Sequence, residues 1–457
     1  MSTNNFIDGR DYSCCNINKY QKLAICFVDR YPFTRFMDQS HLDYSTACVR
    51  NGTDINVCLI GFGKVNQQIF LTTVATNQFI TKGKNGVQHK PVNYHIFDKN
   101  APQVAKNLEN TYYRFRNECS NVDEKDYLPL PDMPANEKFW HMDVNSGEFR
   151  DAVREVITRS DKDVNFAVVS LGSDMENIIA ARKLIEMRNE WDVKNFVIFV
   201  HVTSCYKVGH LIIAPDFFMF HDNIDDFGIQ QLIAMSIRRN YIYALQYQIA
   251  AGKEFDSYLL SQVMNQAKID WGEKNQILRE SSLYGCLSLR SKLNMIGLSW
   301  CEMFINRQAP LSVEEYFKRY AVNTSIDCIV NGNISDKMII KYGLDFPESL
   351  RKNLAILEHY RWNAFMISKG IIPATRAQIE HETTLVDGKM KFTNGKSYEL
   401  RRHGNLTTFE GLVEYRRIVA GRDNVDELDR DVIKYDYQIM DNAHWLLTEC
   451  GFKIVEL

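Results

Sequence analysis

The chain has 457 residues, of which 45% are hydrophobic and 24% charged, and its formal net charge is −3. This composition is typical of globular proteins, and the length predicts two or three domains. A nearly neutral chain lacks the basic excess of general nucleic-acid binders, and no apolar run is long enough to predict a membrane span. The eleven cysteines are scattered without metal-ligand spacing, so we expect no metal site and a cytoplasmic protein.

Alternating strands and helices are predicted in the first half of the chain. In an N-terminal extension, residues 1–54, the apolar run "KLAICFVDR" predicts one strand. Over residues 55–226, strands are predicted in "NVCLIGFG", "VNYHIFDK", "NFAVVSLGSD", "NFVIFVHV" and "PDFFMFHDN", with helices between them. "TNQFITKGKNGVQHKP" is interpreted as an inserted loop and "YLPLPDMPANEKFW" as a proline-rich connector. This alternation of strands and helices predicts an α/β fold with a Rossmann-like, mostly parallel sheet.

The second half of the chain is predicted to be mainly helical. Residues 227–311 carry an apolar stripe of Ile233, Ile237, Tyr241 and Leu245, spaced by four, and are interpreted as a helical linker or dimerisation region. In residues 312–457, "VDGKMKFTNGKSYEL" predicts a β-hairpin around Asn394-Gly395.

A glycine turn follows the first predicted strand of the sheet. Gly61 and Gly63 allow the backbone to approach a pyrophosphate, and the helix that begins at Lys64 and Val65 offers free amide groups. The third glycine of the usual fingerprint is replaced by Asn66, which loosens the match without removing the anion site.

Two further strand ends are expected to complete this site. Asp98 and Lys99 follow the next strand, where a carboxylate can accept hydrogen bonds from ribose hydroxyls. Gly172, Ser173 and Asp174 lie at the carboxyl end of another strand. The sequence therefore predicts NAD or a related adenine nucleotide as a cofactor, although such glycines can also be simple turns.

No catalytic motif is visible in the sequence. A dehydrogenase needs a proton relay, and only His201 and His210 around "VTSCYKVG" are candidates, although histidines at strand ends are more often structural. We therefore expect no catalytic residues, and an NAD(P)-dependent oxidoreductase using one of these histidines remains an alternative.

The segment "VCLIGFGKVNQQI … YHIFDKN … FAVVSLGSDMENIIAARKL" resembles the NAD-binding domain of potassium-uptake regulators, the TrkA-N or RCK type. The matching positions are Gly61, Gly63, Asp98, Asp174 and Asn177, and Asn66 is the departure. The resemblance implies a regulatory domain that senses a nucleotide, often as a homodimer, and does not turn over a substrate.

The C-terminal part contains a helix with Glu358, Arg361 and Trp362 at close spacing, which an amphipathic helix with a rim ion pair would also explain. Together with later segments it resembles the RyR repeat named from ryanodine receptors. The matching positions are Glu358-His359-Arg361-Trp362, Gly370, Arg401-His403-Leu406, Asp429-Asp431 and Gly451-Phe452, whereas Ile371 replaces the usual aromatic residue. The resemblance implies a ligand or interaction module.

In that module, Arg361, Arg401, Arg402 and His403 are candidates to meet a phosphate, and Trp362 or Tyr437 offers a ring to a base. The two resemblances together imply a cytoplasmic nucleotide sensor, in an antiviral or ion-homeostasis setting. A protein-interaction scaffold with a vestigial Rossmann site remains a third possibility.

Overall fold

The fold was analysed in a computed structural model, which describes residues 17–84, 86–120, 122–203, 216–222, 226–250, 256–305, 308–320, 350–381, 392–421 and 435–457. In the first half of the chain the strands are β1 (Leu42–Asp43), β2 (Cys48–Val49), β3 (Ile55–Ile60), β4 (Phe79–Gly83), β5 (Gly86–Lys90), β6 (Val92–Asp98), β7 (Ala135–His141), β8 (Val164–Val169), β9 (Phe196–Val202) and β10 (Phe217–His221).

Six of these strands form one parallel sheet in the order β10-β9-β8-β3-β6-β7. Numbered along the chain from β3 and read from the other edge, this order is 3-2-1-4-5-6, as in doubly wound dinucleotide-binding sheets. The central strands are buried on both faces, because helices cover the sheet on each side. The predicted α/β class with a mostly parallel sheet is confirmed, and the sheet is compatible with a Rossmann-like fold.

The helices of this half are α1 (Lys19–Arg30), α2 (Lys64–Val74), α3 (Ala101–Lys106), α4 (Tyr112–Cys119), α5 (Gly147–Ile157) and α6 (Asp174–Glu190). Helix α2 connects β3 to the region of β6, and α6 connects β8 to β9. Each follows a strand that ends in a turn, so both helices begin at the carboxyl edge of the sheet.

Three predictions in this half are wrong. "KLAICFVDR" lies in helix α1, not in a strand, and its buried residues Leu23, Ala24, Phe27 and Val28 recur with helical spacing. The inserted loop contains the antiparallel pair β4 and β5. The proline-rich connector contains the edge strand β7, whose alternating burial and polar residues conceal it.

The middle of the chain contains α7 (Asp226–Ala250), α8 (Ser257–Glu273), α9 (Gln276–Leu287), α10 (Leu289–Asn294) and the strand β11 (Leu298–Glu302). The predicted stripe of Ile233, Ile237, Tyr241 and Leu245 is buried in the same core as the sheet. This apolar face is therefore covered by the chain itself, and the dimerisation role stays a prediction.

The C-terminal part contains α11 (Val313–Tyr320), α12 (Leu350–Ser368), β12 (Ile372–Pro373), α13 (Arg376–Glu380), β13 (Lys396–Ser397), β14 (Arg402–His403), α14 (Gly411–Ala420), α15 (Ala443–Glu449) and β15 (Phe452–Glu456). A further helical stretch covers residues 435–441. Strand β15 pairs antiparallel with β11, so the last strand of the C-terminal part is joined to the middle of the chain.

The tight turn predicted at Asn394-Gly395 is present, since both residues have positive φ and Thr393 bridges to Lys396. Much of the hairpin's first arm lies outside the described residues. Among the helices that the structure describes, none has the length and apolar character that crossing a membrane requires.

Candidate functional site

The first candidate site is the glycine turn after β3. Gly61 has φ +78°, and a β-carbon there would lie 2.6 Å from the carbonyl oxygen of Ser170 on the neighbouring strand. Glycine is therefore required both by the backbone conformation and by the close approach of β8. This turn stands between β3 and β8, where the strand order reverses and where open α/β sheets bind ligands.

Gly63 leaves the start of α2 open. It occupies the N-cap position with no side-chain cap, it is exposed, and a β-carbon on it would meet no atom within 4 Å. Lys64 is exposed, with its ammonium nitrogen 5.7 Å from the centre of the Tyr20 ring, whereas Val65 is buried. An uncapped helix start of this kind favours an anion.

Asn66, the departure from the fingerprint, braces the turn. Its side-chain nitrogen donates to the carbonyl oxygens of Ile60 (3.2 Å), Gly61 (2.7 Å) and Val168 (3.1 Å). The side chain is fully buried below the turn and does not fill the space above Gly63. The substitution thus replaces close helix packing by hydrogen bonds that join the ends of β3 and β8.

Asp98 lies at the turn, as predicted, but it already bonds the protein. One carboxylate oxygen accepts from the Phe62 amide at 2.7 Å, and the other accepts from the Asn100 amide at 2.7 Å. The carboxylate is partly exposed, and two oxygens offer about four acceptor positions, so a ribose hydroxyl can share it. Lys99 is exposed beside it.

The predicted site residues that follow β8 also form hydrogen bonds within the protein. Asp174 accepts from the Thr203 amide (2.8 Å) and hydroxyl (2.7 Å), and Asn177 bonds Leu171 and the carbonyl oxygen of His201. Ser173 caps α6, and Gly172 is exposed. These hydrogen bonds fix the carboxyl edge of the sheet.

A hydrogen-bonded chain crosses the ends of β8, β9 and β10. The Ser170 hydroxyl lies 3.4 Å from Nδ1 of His201, and Nε2 of His201 lies 2.8 Å from a carboxylate oxygen of Asp222. Lys19 donates to the other Asp222 oxygen at 2.6 Å. Burial raises the pKa of Asp222, but the bonds from Lys19 and His201 outweigh it and keep the pKa below its usual value. His210, the other candidate, lies outside the described residues.

The second candidate site is a cavity of about 680 Å³ between the middle helices and the C-terminal part. Of the predicted ligand residues, Glu358, Arg361, Trp362 and His403 line it. The middle helices contribute Arg239, Asn240, Tyr243, Ala244, Gln248, Ala267, Asp270, Lys274, Leu278, Ser281 and Ser282, and the C-terminal part adds His359, Met366, Lys396, Tyr398, Asn405, Leu412, Tyr435, Asp436 and Gln438.

Three predicted ligand residues, Arg401, Arg402 and Tyr437, do not line the cavity, and Arg401 is exposed. Arg402 donates to the carbonyl oxygen of Pro373 at 3.1 Å and lies 3.4 Å from Glu118. Tyr437 is buried with the guanidinium group of Arg351 4.6 Å from its ring centre. The positions Asp429 and Asp431 lie outside the described residues.

A buried charge cluster forms one end of the cavity. Glu358 accepts from Nε (2.8 Å) and Nη2 (2.9 Å) of Arg361, its Oε2 lies 2.8 Å from the Lys292 ammonium nitrogen, and Arg239 lies 3.6 Å away. One carboxylate thus faces three cations, which leaves an excess of positive charge. Burial alone would raise the pKa of Glu358, but these three cations hold it well below its usual value.

The cations around the cavity have lowered pKa values, for which burial is the main cause and repulsion between cations a smaller one. Burial lowers the pKa of Lys292 to about 8, although Glu358 acts in the opposite direction. Burial and the nearby charge of Arg239 lower the pKa of Lys274, and burial with Arg416 lowers that of Lys396. An anion in the cavity would relieve this repulsion.

His359 neutralises one acidic group of the cavity. Its Nδ1 lies 3.2 Å from Asp436, and its Nε2 lies 2.8 Å from the carbonyl oxygen of Thr407. Burial lowers the pKa of His359, but Asp436 outweighs it and raises the pKa overall. Both ring nitrogens face acceptors, which suits the charged imidazolium.

Sequence reasoning missed Arg239, Lys274, Lys292 and Lys396. The one visible signal was the pair Arg238-Arg239, which interrupts an otherwise apolar helix. Buried charges in such a helix require partners, and the partner of Arg239 belongs to α12, far away in sequence. Among the described residues, no group of three His, Cys, Asp or Glu side chains is placed to hold a metal ion.

Comparisons with family models, with curated proteins and with solved structures gave no match for this chain.

Proposed function

We propose that this protein is a nucleotide-responsive regulator. NAD(H), or a ligand related to ADP-ribose or a cyclic nucleotide, binds on the turn from Gly61 to Gly63 and alters the packing of the C-terminal part. The observation that carries this proposal is an uncapped, exposed helix start at the point where the strand order of a parallel sheet reverses.

Helix α2 offers a physical route between this turn and the C-terminal part. It begins at the turn and packs against α12, the helix that carries Glu358 and Arg361. Near its other end, the Thr72 hydroxyl lies 3.3 Å from the hydroxyl of Tyr284 in α9. A ligand that binds one arrangement of these helices more tightly by a few kcal/mol is sufficient to change their populations.

The direct test is calorimetry of the full chain with NAD, NADH, ADP-ribose and cyclic nucleotides. We expect one of them to bind the wild type and Gly272→Val, an exposed glycine on α8 that serves as the matched control. Gly63→Val should abolish this binding, because its branched side chain occupies the open space above the turn. Absence of heat with every ligand, or undiminished binding by Gly63→Val, contradicts the proposal.

A second candidate function is an NAD(P)-dependent oxidoreductase, and the chain from Ser170 through His201 to Asp222 favours it. With Nε2–H directed to Asp222, Nδ1 of His201 is free to accept the Ser170 proton, as a relay requires. Turnover of a nicotinamide cofactor with a small alcohol or carbonyl compound, lost in His201→Asn, would select this function. No absorbance change with any such compound would reject it.

A further inference from the structure

The cavity between the middle helices and the C-terminal part contains a buried donor without an acceptor. Arg361 is only 1% exposed, and two of its nitrogens bond Glu358. Its third nitrogen, Nη1, has no hydrogen-bond partner among the described residues. A buried charged donor that is left unpaired destabilises the protein, so an acceptor supplied by a ligand would stabilise it.

A second guanidinium is placed in the same cavity by a glycine. A β-carbon on Gly285 of α9 would lie 1.9 Å from Nη1 of Arg239, so glycine leaves room for this side chain in the position that it occupies. Arg239 thereby reaches the cluster around Glu358, and among the described residues it forms no closer ion pair, because Glu358 already bonds Arg361 and Lys292 at shorter distances.

Aromatic rings stand beside these cations. Trp362 and His403 pack edge to face with ring centres 5.0 Å apart, and Tyr243 of α7 stacks on Tyr435 at 5.1 Å. Both pairs line the cavity, and Trp362 is only partly buried. Guanidinium groups bind phosphate oxygens and ring faces stack on bases, so the two kinds of group together match a nucleotide.

The size of the cavity agrees with this ligand class, since small-molecule sites occupy about 300 to 1,000 Å³. We propose that this cavity is a second ligand site, separate from the glycine turn, and that it binds a nucleotide. The phosphate bonds Arg361 and Arg239, and the base lies against Trp362. The site is composite, because Arg239 and Lys274 come from the middle helices and the other groups from the C-terminal part.

The test is titration calorimetry of the full chain with AMP, adenosine and inorganic phosphate. We expect AMP to bind more tightly than either fragment, because only AMP supplies both the anion and the ring. Arg239→Met should weaken AMP binding by about tenfold or more, since a hydrogen bond to a charged group is lost. Arg402→Met, an arginine of the same part of the chain that does not line the cavity, should leave it unchanged.

Two further variants separate this site from the glycine turn and from a loss of folding. Trp362→Leu should weaken the binding of AMP but not that of phosphate, which a general loss of structure would not produce. AMP binding that survives Gly63→Val supports the cavity. AMP binding that is lost in Gly63→Val and kept in Arg239→Met places the ligand on the turn and overturns this proposal, while the proposed function stands. No AMP binding by the wild type also overturns it.

Discussion

The glycine turn and the cavity differ in which atoms face a ligand. At the turn, the side chains of Asn66, Asp98 and Asp174 all bond the protein's own backbone, and the open groups belong to the main chain. At the cavity, charged side chains bond one another, and Nη1 of Arg361 has no hydrogen-bond partner in the part of the chain that the structure describes. A site made of main-chain groups, such as the turn, needs only a few residues close in sequence. The cavity needs charged side chains from segments that are far apart in the sequence.

The largest effect is expected at the charge cluster of the cavity. Glu358→Gln removes the only carboxylate that the structure places among Arg361, Lys292 and Arg239 within the described residues. Two buried cations and the partly buried Arg239 then repel one another, and the free energy of unfolding should fall by about 3–5 kcal/mol in urea denaturation.

The matched control for this change is Glu190→Gln, which removes an exposed partner of Arg150 and should leave the free energy of unfolding almost unchanged. Equal losses in the two variants would contradict a special role of the buried cluster.

Substituting the two glycines of the turn by alanine should lower the stability to very different extents. Gly61→Ala places a methyl group against the Ser170 carbonyl in a backbone conformation with positive φ, and should lower the free energy of unfolding by about 2–4 kcal/mol. Gly63→Ala meets no atom within 4 Å and should lower the free energy of unfolding by only about 1 kcal/mol or less, because alanine is a poorer N-cap residue than glycine. Thermal denaturation of both variants measures the difference, and a costly Gly63→Ala would show that its surroundings are closed.

The brace at Asn66 allows a test of the fingerprint itself. Asn66→Gly restores the usual third glycine but removes three hydrogen bonds to backbone carbonyls. We expect the free energy of unfolding to fall by about 1–3 kcal/mol. A variant as stable as the wild type, with tighter nucleotide binding, would mean that Asn66 only loosens the site.

The smallest effect is a pH dependence confined to the cavity. Lys292 has a pKa of about 8 when folded, below the ordinary 10.5, so the unfolded chain binds this proton more tightly. Its contribution to stability therefore rises as the pH increases from 8 towards 10.5. From about pH 7.5 to about pH 9.5, wild-type unfolding free energy should gain about 1–2 kcal/mol relative to Lys292→Met. Parallel urea-denaturation profiles for the two proteins would refute this assignment.

The sequence predicted the parts of the fold that local pattern determines. The glycine turn, the strands β3, β6, β8, β9 and β10, and the helices after them have short apolar runs bounded by turn residues. Helix α1 was mistaken for a strand because nine mostly apolar residues fit either structure, and only packing against the sheet decides between them. Edge strand β7 was missed because half of it faces solvent.

The two candidate sites were predictable to different degrees for the same reason. Glu358 and Arg361 are three residues apart on one helix, so their pairing is visible in the sequence. Lys292 and Arg239 reach the same carboxylate from α10 and α7, and such contacts between distant segments cannot be predicted from residue spacing. The hydrogen bond from the Phe62 amide to Asp98 also depends on the tertiary fold, and the sequence could only place the carboxylate nearby.

The side chain of Arg239 lies where the β-carbon of any residue other than glycine at position 285 would be. These two positions, on separate helices, are therefore expected to vary together among natural relatives. In a chain with a bulkier residue at 285, the guanidinium group would have to leave its present position, and the composite pocket would lose one of its two arginines.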